Sequence, residues 1–166
     1  MTTLYLVRHA IAFERGPRWP DDAKRPLTPK GSARMREAVA GLRALGAALD
    51  VVITSPLVRA KQTADLIIAG WPDAPALVVN GHLAPGGKAA ALIDDLGAYA
   101  KSKGIALVGH EPDLGELAAR LIGAKKPLVF KKGGVACIEV ASLPLIDAGT
   151  LVWLATPKML RALADL

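Results

Sequence analysis

Short runs rich in apolar and β-forming residues recur at about residues 3–8, 51–54, 76–79, 105–109, 135–141 and 150–155, and stretches of helical periodicity separate several of them. That alternation constrains the fold more than any other feature of the chain. A strand, an amphipathic helix and a second strand form a βαβ unit, whose crossover lays the strands side by side in the same direction. The expected architecture is a three-layer α/β sandwich, with a mostly parallel central sheet and helices on both faces. The last two runs are joined only by the turn-rich segment Ser142 to Gly149, so they are expected to form a hairpin with one antiparallel strand at the sheet edge. At 166 residues and 52% hydrophobic composition, the chain is expected to form a single domain over 1–166, large enough to bury a core without disulfides or a structural metal.

Three helix starts use one device, a hydroxyl residue followed by proline: Thr28-Pro29, Ser55-Pro56 and Thr156-Pro157. The hydroxyl caps free amides, and proline at the first helical position loses no hydrogen bond that the helix needs. The first helix is expected to turn Val39, Leu42 and Leu45 inward and to stop at Gly46. A second runs from Pro56 to about Ala69 with Ala60, Ala64 and Ile67 or Ile68 inward, a third includes Leu92, Leu96 and Tyr99, and a fourth runs from Pro112 to Ile122. The polar, proline-containing stretch from Phe13 to Pro26 reads as an active-site loop.

Several function classes drop out on composition. No apolar run reaches the roughly 18 residues that span a bilayer, and Met1-Thr2-Thr3 lacks the basic opening of a secretory signal, so a soluble cytoplasmic protein is expected. The lone Cys137 sits in an apolar run and is expected to be a buried structural thiol. A net charge of +6 suits nucleic acid, an acidic protein surface or a phosphorylated substrate. With only 4% aromatic residues and no nucleic-acid motif, the first of these is not expected. Trp153 reads as core, while Trp19 and Trp71 flank prolines and read as covers for loop edges, with a substrate contact for Trp19 left open.

The chemistry lies where strands end. Leu4-Tyr5-Leu6-Val7 delivers Arg8-His9, and Val51-Val52-Ile53-Thr54 delivers Ser55-Pro56-Leu57-Val58-Arg59. Ile105-Ala106-Leu107-Val108-Gly109 delivers His110. A cation in a helix's first turn opposes the helix dipole, so a bound phosphate explains Arg59 better than helix stability does. If the three strands are parallel neighbours, one crevice at their carboxyl ends receives Arg8, Arg59, His9 and His110. Guanidinium forks match phosphate oxygens, and a neutral imidazole can attack phosphorus while cations stabilise the equatorial oxygens. His9 is the expected nucleophile, with its pKa depressed below about 6.5 by the neighbouring arginines.

These residues carry a resemblance. Arg8-His9, then Ser55-Pro56-Leu57-Val58-Arg59-Ala60-Lys61-Gln62-Thr63, then Gly109-His110, resemble the histidine phosphatase superfamily over about residues 4 to 155. Within it, the small size, Arg25-Pro26-Leu27-Thr28-Pro29-Lys30-Gly31 and Leu83-Ala84-Pro85-Gly86-Gly87 are similar to the SixA-type phosphohistidine phosphatases. The resemblance implies a phosphoglycerate mutase-like fold and a phosphohistidine intermediate on His9, with Arg8, Arg59 and His110 holding the transferred group. It also implies that Arg25 reaches the pocket as a phosphate ligand, although a solvated or carboxylate-paired Arg25 is an equal reading.

The chain departs from the broader pattern at two places. Ala10 follows the Arg-His pair where many phosphoglycerate-mutase-like members have Gly, and Leu83-Ala84-Pro85 stands where an acidic residue is expected. An alkoxide leaving group needs a proton donor, whereas an imidazole departs neutral once its phosphoramidate is protonated. The expected substrate is therefore phosphohistidine on a phosphotransfer protein, with a small-molecule phosphomonoester as the alternative and a phosphate-binding module without turnover as a third reading. Glu14, Asp21, Asp22 and Glu111 remain as proton donors, each read first as a solvated or helix-terminal acid. Lys125-Lys126 and Lys131-Lys132 could dock an acidic partner, with Gly133-Gly134 adding mobility. No metal and no nucleotide cofactor are expected. Two arginines would repel a zinc ion shared by His9, His82 and His110, His82 reads as a loop residue, and Gly81 to Lys88 lacks the hydroxyl of a P-loop.

Overall fold

The computed structural model describes residues 1–166. All six runs are strands: β1 (Thr2–Arg8), β2 (Val51–Thr54), β3 (Ala76–Val79), β4 (Gly104–Gly109), β5 (Val135–Val140) and β6 (Thr150–Ala155). They form one sheet in the order β3-β2-β4-β1-β5-β6. The first four in that order are mutually parallel, β5 is antiparallel to β1, and β6 is antiparallel to β5. The reversal thus belongs to β5, and the edge strand β6, although antiparallel to its neighbour, points the same way as β1.

Five helices cover the sheet: α1 (Pro29–Ala44), α2 (Val58–Ala69), α3 (Ala89–Asp95), α4 (Asp113–Ile122) and α5 (Pro157–Ala164). Because successive side chains of a strand face opposite ways, β1 divides its residues between two cores. Tyr5 and Val7 join Val39 and Leu42 of α1, Ala64 and Ile67 of α2, and Leu160 of α5. Leu4 and Leu6 join Leu92 of α3, and Leu114, Leu117 and Leu121 of α4, with Phe130. Every residue of β4 is buried, which explains its unbroken apolar run: both faces of this central strand are covered. No helix is long and apolar enough to cross a membrane.

Local chemistry accounts for most helix boundaries. Thr28 Oγ1 accepts from the Gly31 amide at 2.9 Å and Thr156 Oγ1 from the Met159 amide at 3.2 Å, each with proline next in the chain. The Ser55-Pro56 pair behaves differently, since α2 starts at Val58 with no side-chain cap. Gly46 takes the left-handed φ of 79° that ends α1. Leu45 was expected inward but is 42% exposed. Two successive steps of three residues rotate a side chain about 120° away from Val39 around the helix, which carries Leu45 off the buried face. The expected third helix breaks into α3 and a 3₁₀ turn over Leu96–Tyr99, with Leu92 and Leu96 buried and Tyr99 only half-buried. Trp153, expected in the core, is half-buried on the edge strand, its ring 6.2 Å from that of Tyr5. Cys137 is buried, and burial first, then the charge of Glu139, pushes its thiol up to about 11, as suits a structural thiol.

Candidate active site

Strand register assembles the site. Arg8 pairs with Gly109 in the β1–β4 ladder and Thr54 with Val108 in the β2–β4 ladder, so His9, Ser55 and His110 leave three adjacent strands at one level. The His9 amide donates to the Gly109 carbonyl at 3.0 Å, and the His9 and His110 rings lie 5.2 Å apart at 53°. Arg59 follows in the first turn of α2. His9, Arg25, Arg59 and His110 are all buried, and with Arg8 they line an open pocket of about 500 Å³. Glu14, Arg15, Pro85, Glu111 and Lys132 complete its wall. The convergence expected from the sequence is therefore present.

His9 Nδ1 lies 2.7 Å from the Ala10 carbonyl, which can only accept, so Nδ1 carries the hydrogen and Nε2 the lone pair. The backbone that holds this ring is itself tied to α2. The Ala10 amide donates to Thr63 Oγ1 at 3.0 Å, and that hydroxyl donates to the Arg59 carbonyl at 2.8 Å. Gln62 Oε1 accepts from the Leu27 amide at 2.8 Å and fixes the segment that follows Arg25. One short stretch of α2 thus supplies a cation and two anchors. Ser55, expected as a helix cap, instead has its hydroxyl 2.7 Å from His110 Nε2 while accepting from the Leu57 amide at 3.2 Å.

Asp22 is the residue that sequence reasoning undervalued. Read as a solvated or helix-terminal acid, it opens a 3₁₀ turn over Asp22–Lys24, but its carboxylate binds three guanidinium groups. Oδ1 accepts from Arg25 Nε at 3.0 Å and lies 3.3 Å from Arg15 Nε, while Oδ2 accepts from Arg59 Nη2 at 3.0 Å. The Asp22 carbonyl accepts from Arg59 Nη1 at 2.8 Å. Burial alone would raise this carboxyl, but the hydrogen bonds and charges of Arg25 and Arg59 outweigh it and hold the pKa below the usual range. Arg25 is therefore carboxylate-paired rather than solvated and also lines the pocket, with Nη1 donating to the Phe13 carbonyl at 2.6 Å. The only local sign of Asp22's role was its spacing of three residues from Arg25.

The remaining candidates separate clearly. Glu111 is occupied as a helix-end anchor, accepting from the Gly115 amide at 2.7 Å and the Phe130 amide at 3.2 Å. Asp21 caps the 3₁₀ turn through the Ala23 amide at 3.0 Å. Gly133-Gly134, expected to be mobile, is pinned: the Gly133 amide donates to the Arg8 and His9 carbonyls, both at 3.1 Å, and the Gly134 carbonyl accepts from the Arg8 amide at 3.1 Å. Gly133 is needed for its φ of 82°, which the turn requires. Lys132 lines the pocket, whereas Lys125 and Lys126 are exposed away from it. Trp19 also stays outside the pocket wall, packing 5.9 Å from Phe13 with Arg18 over its ring at 5.5 Å. His82 sits in a separate turn over Gly81–Leu83, and no group of three His, Cys, Asp or Glu side chains is placed to hold a metal ion.

The pocket fits an oxyanion. Arg8 Nη1 donates to the Phe130 carbonyl at 2.8 Å, yet Arg8 Nε, Arg59 Nε and His110 Nδ1 are buried with no partner in the chain. The guanidinium groups of Arg8, Arg25 and Arg59 on the pocket wall present planar charged forks that match phosphoryl oxygens.

The sequence model of the histidine phosphatase superfamily (branch 1) matches residues 4–80, the span that carries Arg8, His9 and Arg59. The chain belongs to the histidine phosphatase superfamily. An uncharacterised protein of Picosynechococcus sp. strain PCC 7002 is 35% identical over 163 residues, which is 95% of this chain and 98% of that protein. Among solved structures, the protein histidine phosphatase SixA complexed with tungstate superposes with a TM-score of 0.84 at 23% identity, covering 95% of this chain and 98% of that one. The α-ribazole phosphatase from Shigella flexneri superposes at 0.73 with 19% identity, covering 94% and 97%. These likenesses establish that this superfamily member has the α/β fold of those phosphatases.

The two pocket histidines, His9 and His110, are neutral near pH 7. Burial is the main cause for His9, lowering its pKa to about 4. Arg59, Arg8 and Arg25 add to the effect, against the Ala10 hydrogen bond. The arginines do depress the value, as expected, but each of them ranks behind burial and the Ala10 bond. For His110, burial first and His9 and Arg59 next lower the value to about 3, with Asp22 opposing. In the unfolded chain each ring binds a proton below about pH 6.5, so between there and pH 4 the unfolded state holds more protons and stability falls as pH falls. The expected loss at pH 5 is about 2 kcal/mol per ring. Asp22 acts only lower, since its depressed pKa keeps its contribution until the pH falls below the ordinary carboxylate range. Urea unfolding checks this: the midpoint should drop between pH 7.5 and pH 5, and His9→Gln should shrink the drop. An equal drop in the variant would place the proton uptake elsewhere.

Proposed function

We propose that this protein is a phosphatase that removes phosphoryl groups from histidine on a protein, through a covalent phosphohistidine on His9. The observation that carries the reading is the His9 ring, whose Nδ1 is tied to Ala10 while the lone pair on Nε2 belongs to a pocket walled by Arg8, Arg25 and Arg59. In the first step Nε2 attacks phosphorus, the phosphorus–nitrogen bond to the substrate imidazole breaks, and that imidazole, protonated beforehand, leaves neutral. In the second, water attacks the phosphoryl-His9, the new phosphorus–nitrogen bond breaks, and His9 and phosphate are regenerated. The guanidinium groups stabilise the equatorial oxygens in both steps, and His110 sits beside the same group. The SixA structure that this chain resembles holds tungstate, an oxyanion of the tetrahedral class to which phosphate belongs.

The wall also speaks to the leaving group. Pro85 occupies the stretch where an acid was sought, and Glu111 would have to give up a backbone hydrogen bond to deliver a proton. An ester, whose alkoxide must be protonated, is less well served than an imidazole. One observation favours the small-ester reading: Glu14 lies on the pocket wall, exposed and without an ion pair or hydrogen bond in the chain. A substrate panel decides between them. Phosphohistidine substrates should be hydrolysed with kcat/KM at least about 100-fold above sugar and nucleotide monophosphates, a margin of about 3 kcal/mol in transition-state stabilisation. Turnover of the esters alone would overturn the reading.

A further inference from the structure

A second cavity, of about 320 Å³, opens between α1, α5 and the Lys131–Gly133 turn, on the α1 side of the catalytic pocket. Five cations line it, Arg34, Lys131, Lys132, Lys158 and Arg161, and none of its 13 lining residues is acidic. Arg161 has a carboxylate partner, Glu37 at 3.7 Å. The side chains of Arg34, Lys131, Lys132 and Lys158 make no ion pair or hydrogen bond within the chain. Like charges gathered without counter-charges repel one another, so this grouping does not serve the fold. The floor is apolar and buried, formed by Ala10, Met35 and Ala38.

Position makes the cavity relevant to the chemistry. Lys132 lines both this cavity and the catalytic pocket, and Ala10 on the floor is the residue that follows His9. We propose that the cavity docks an acidic segment of the protein whose phosphohistidine enters the catalytic pocket, with Lys132 at the junction. This assignment rests on the function proposed above and adds the charge of the partner. A small phosphorylated molecule is accommodated by the catalytic pocket of about 500 Å³ alone, whereas an occupant that reaches into both spaces has to be a longer chain. Lys131, Lys132 and Lys158 are exposed, and long cationic side chains at an open mouth attract carboxylates on an approaching surface, chiefly raising the association rate.

Three substrates test the assignment: free phosphohistidine and two phosphohistidine peptides of equal length, one flanked by glutamates and the other by glutamines. For the wild-type protein, the glutamate peptide should show kcat/KM about tenfold higher than the glutamine peptide, mainly through KM, with the gap closing at about 0.5 M salt. The double variant Arg34→Gln/Lys158→Glu should bring the glutamate peptide down to the level of the glutamine one and leave free phosphohistidine unchanged. A glutamate at position 158 falls in the first turn of α5, where the helix dipole favours it, so the helix is retained. Equal use of the two peptides by the wild type, or a preference that survives in the variant, overturns the assignment. So does an equal loss on all three substrates, because the two cations would then serve the fold or the chemistry. If the wild type hydrolyses a sugar phosphate and none of the three, the phosphohistidine reading itself fails and the docking assignment falls with it.

Discussion

Replacing His9 with alanine is expected to eliminate the covalent phosphoryl-enzyme and to lower kcat by at least about 10⁴-fold, equivalent to about 5.5 kcal/mol of lost transition-state stabilisation. The variant keeps Arg8, Arg25 and Arg59, so phosphate still binds and KM should change far less than kcat. What disappears is the one lone pair whose orientation the backbone fixes through Ala10. The fold should tolerate the change, because the register of β1 with β4 is carried by backbone bonds and the His9 amide still donates to Gly109. His9→Gln provides a second test that retains side-chain volume. Rapid mixing with phosphohistidine labelled at phosphorus, quenched at alkaline pH to preserve phosphoramidates, should trap label on the wild type and none on either variant. Label retained at wild-type level would move the nucleophile to another residue, with His110 first in line, since its ring lies 5.2 Å from that of His9 on the same pocket wall.

Much of this site was readable along the chain because Arg8, His9 and His110 sit at the ends of apolar runs and Arg59 follows shortly after one. Val7-Arg8-His9, Thr54-Ser55 and Gly109-His110 mark the points where buried strands meet solvent, and in a parallel sheet such points share one edge. The helix caps at Thr28 and Thr156 were equally local, each resting on a hydroxyl three residues from the amide it accepts. The misread features depend on partners far away in sequence. Ser55 looked like a cap because its neighbour is proline, yet its hydroxyl meets His110, 55 positions later. Gly133-Gly134 looked mobile by composition, but the pair is fastened to the end of β1, more than a hundred residues earlier. The reversed direction of β5 depends on its pairing with β1, which no hairpin pattern shows.

Asp22 makes the same point for electrostatics. An acid among basic residues in a polar loop reads as solvated, and only the folded chain brings it to Arg59, 37 positions away. Its presence alters what the cationic cradle is: Arg25 and Arg59 are held in place by a carboxylate that also offsets part of their charge. A site that binds a dianion and must release phosphate gains from such a counterweight, since uncompensated guanidinium groups would hold the product too tightly.

Arg59→Lys is expected to lower kcat/KM by about 10²- to 10³-fold although the formal charge is unchanged. In the wild type the fork is aimed by two bonds to Asp22, Nη1 to the carbonyl at 2.8 Å and Nη2 to Oδ2 at 3.0 Å, which leaves Nε without a partner in the chain. A planar guanidinium can serve the carboxylate with one edge and a phosphoryl oxygen with another. An ammonium is a single point of charge, and beside Asp22 it will settle on the carboxylate. The position is only 2% exposed, so water cannot make up the lost donors. This account predicts a specific rescue: removing the competitor's charge with Asp22→Asn in the Arg59→Lys background should recover about tenfold of kcat/KM, whereas Asp22→Asn alone should reduce activity by releasing the fork. Activity of Arg59→Lys within about threefold of wild type would show that charge suffices and that the fork geometry is dispensable. Failure of the double variant to recover would show that Asp22 positions the lysine no worse than it positions the arginine, and the loss would then belong to the missing contact with the phosphoryl group itself.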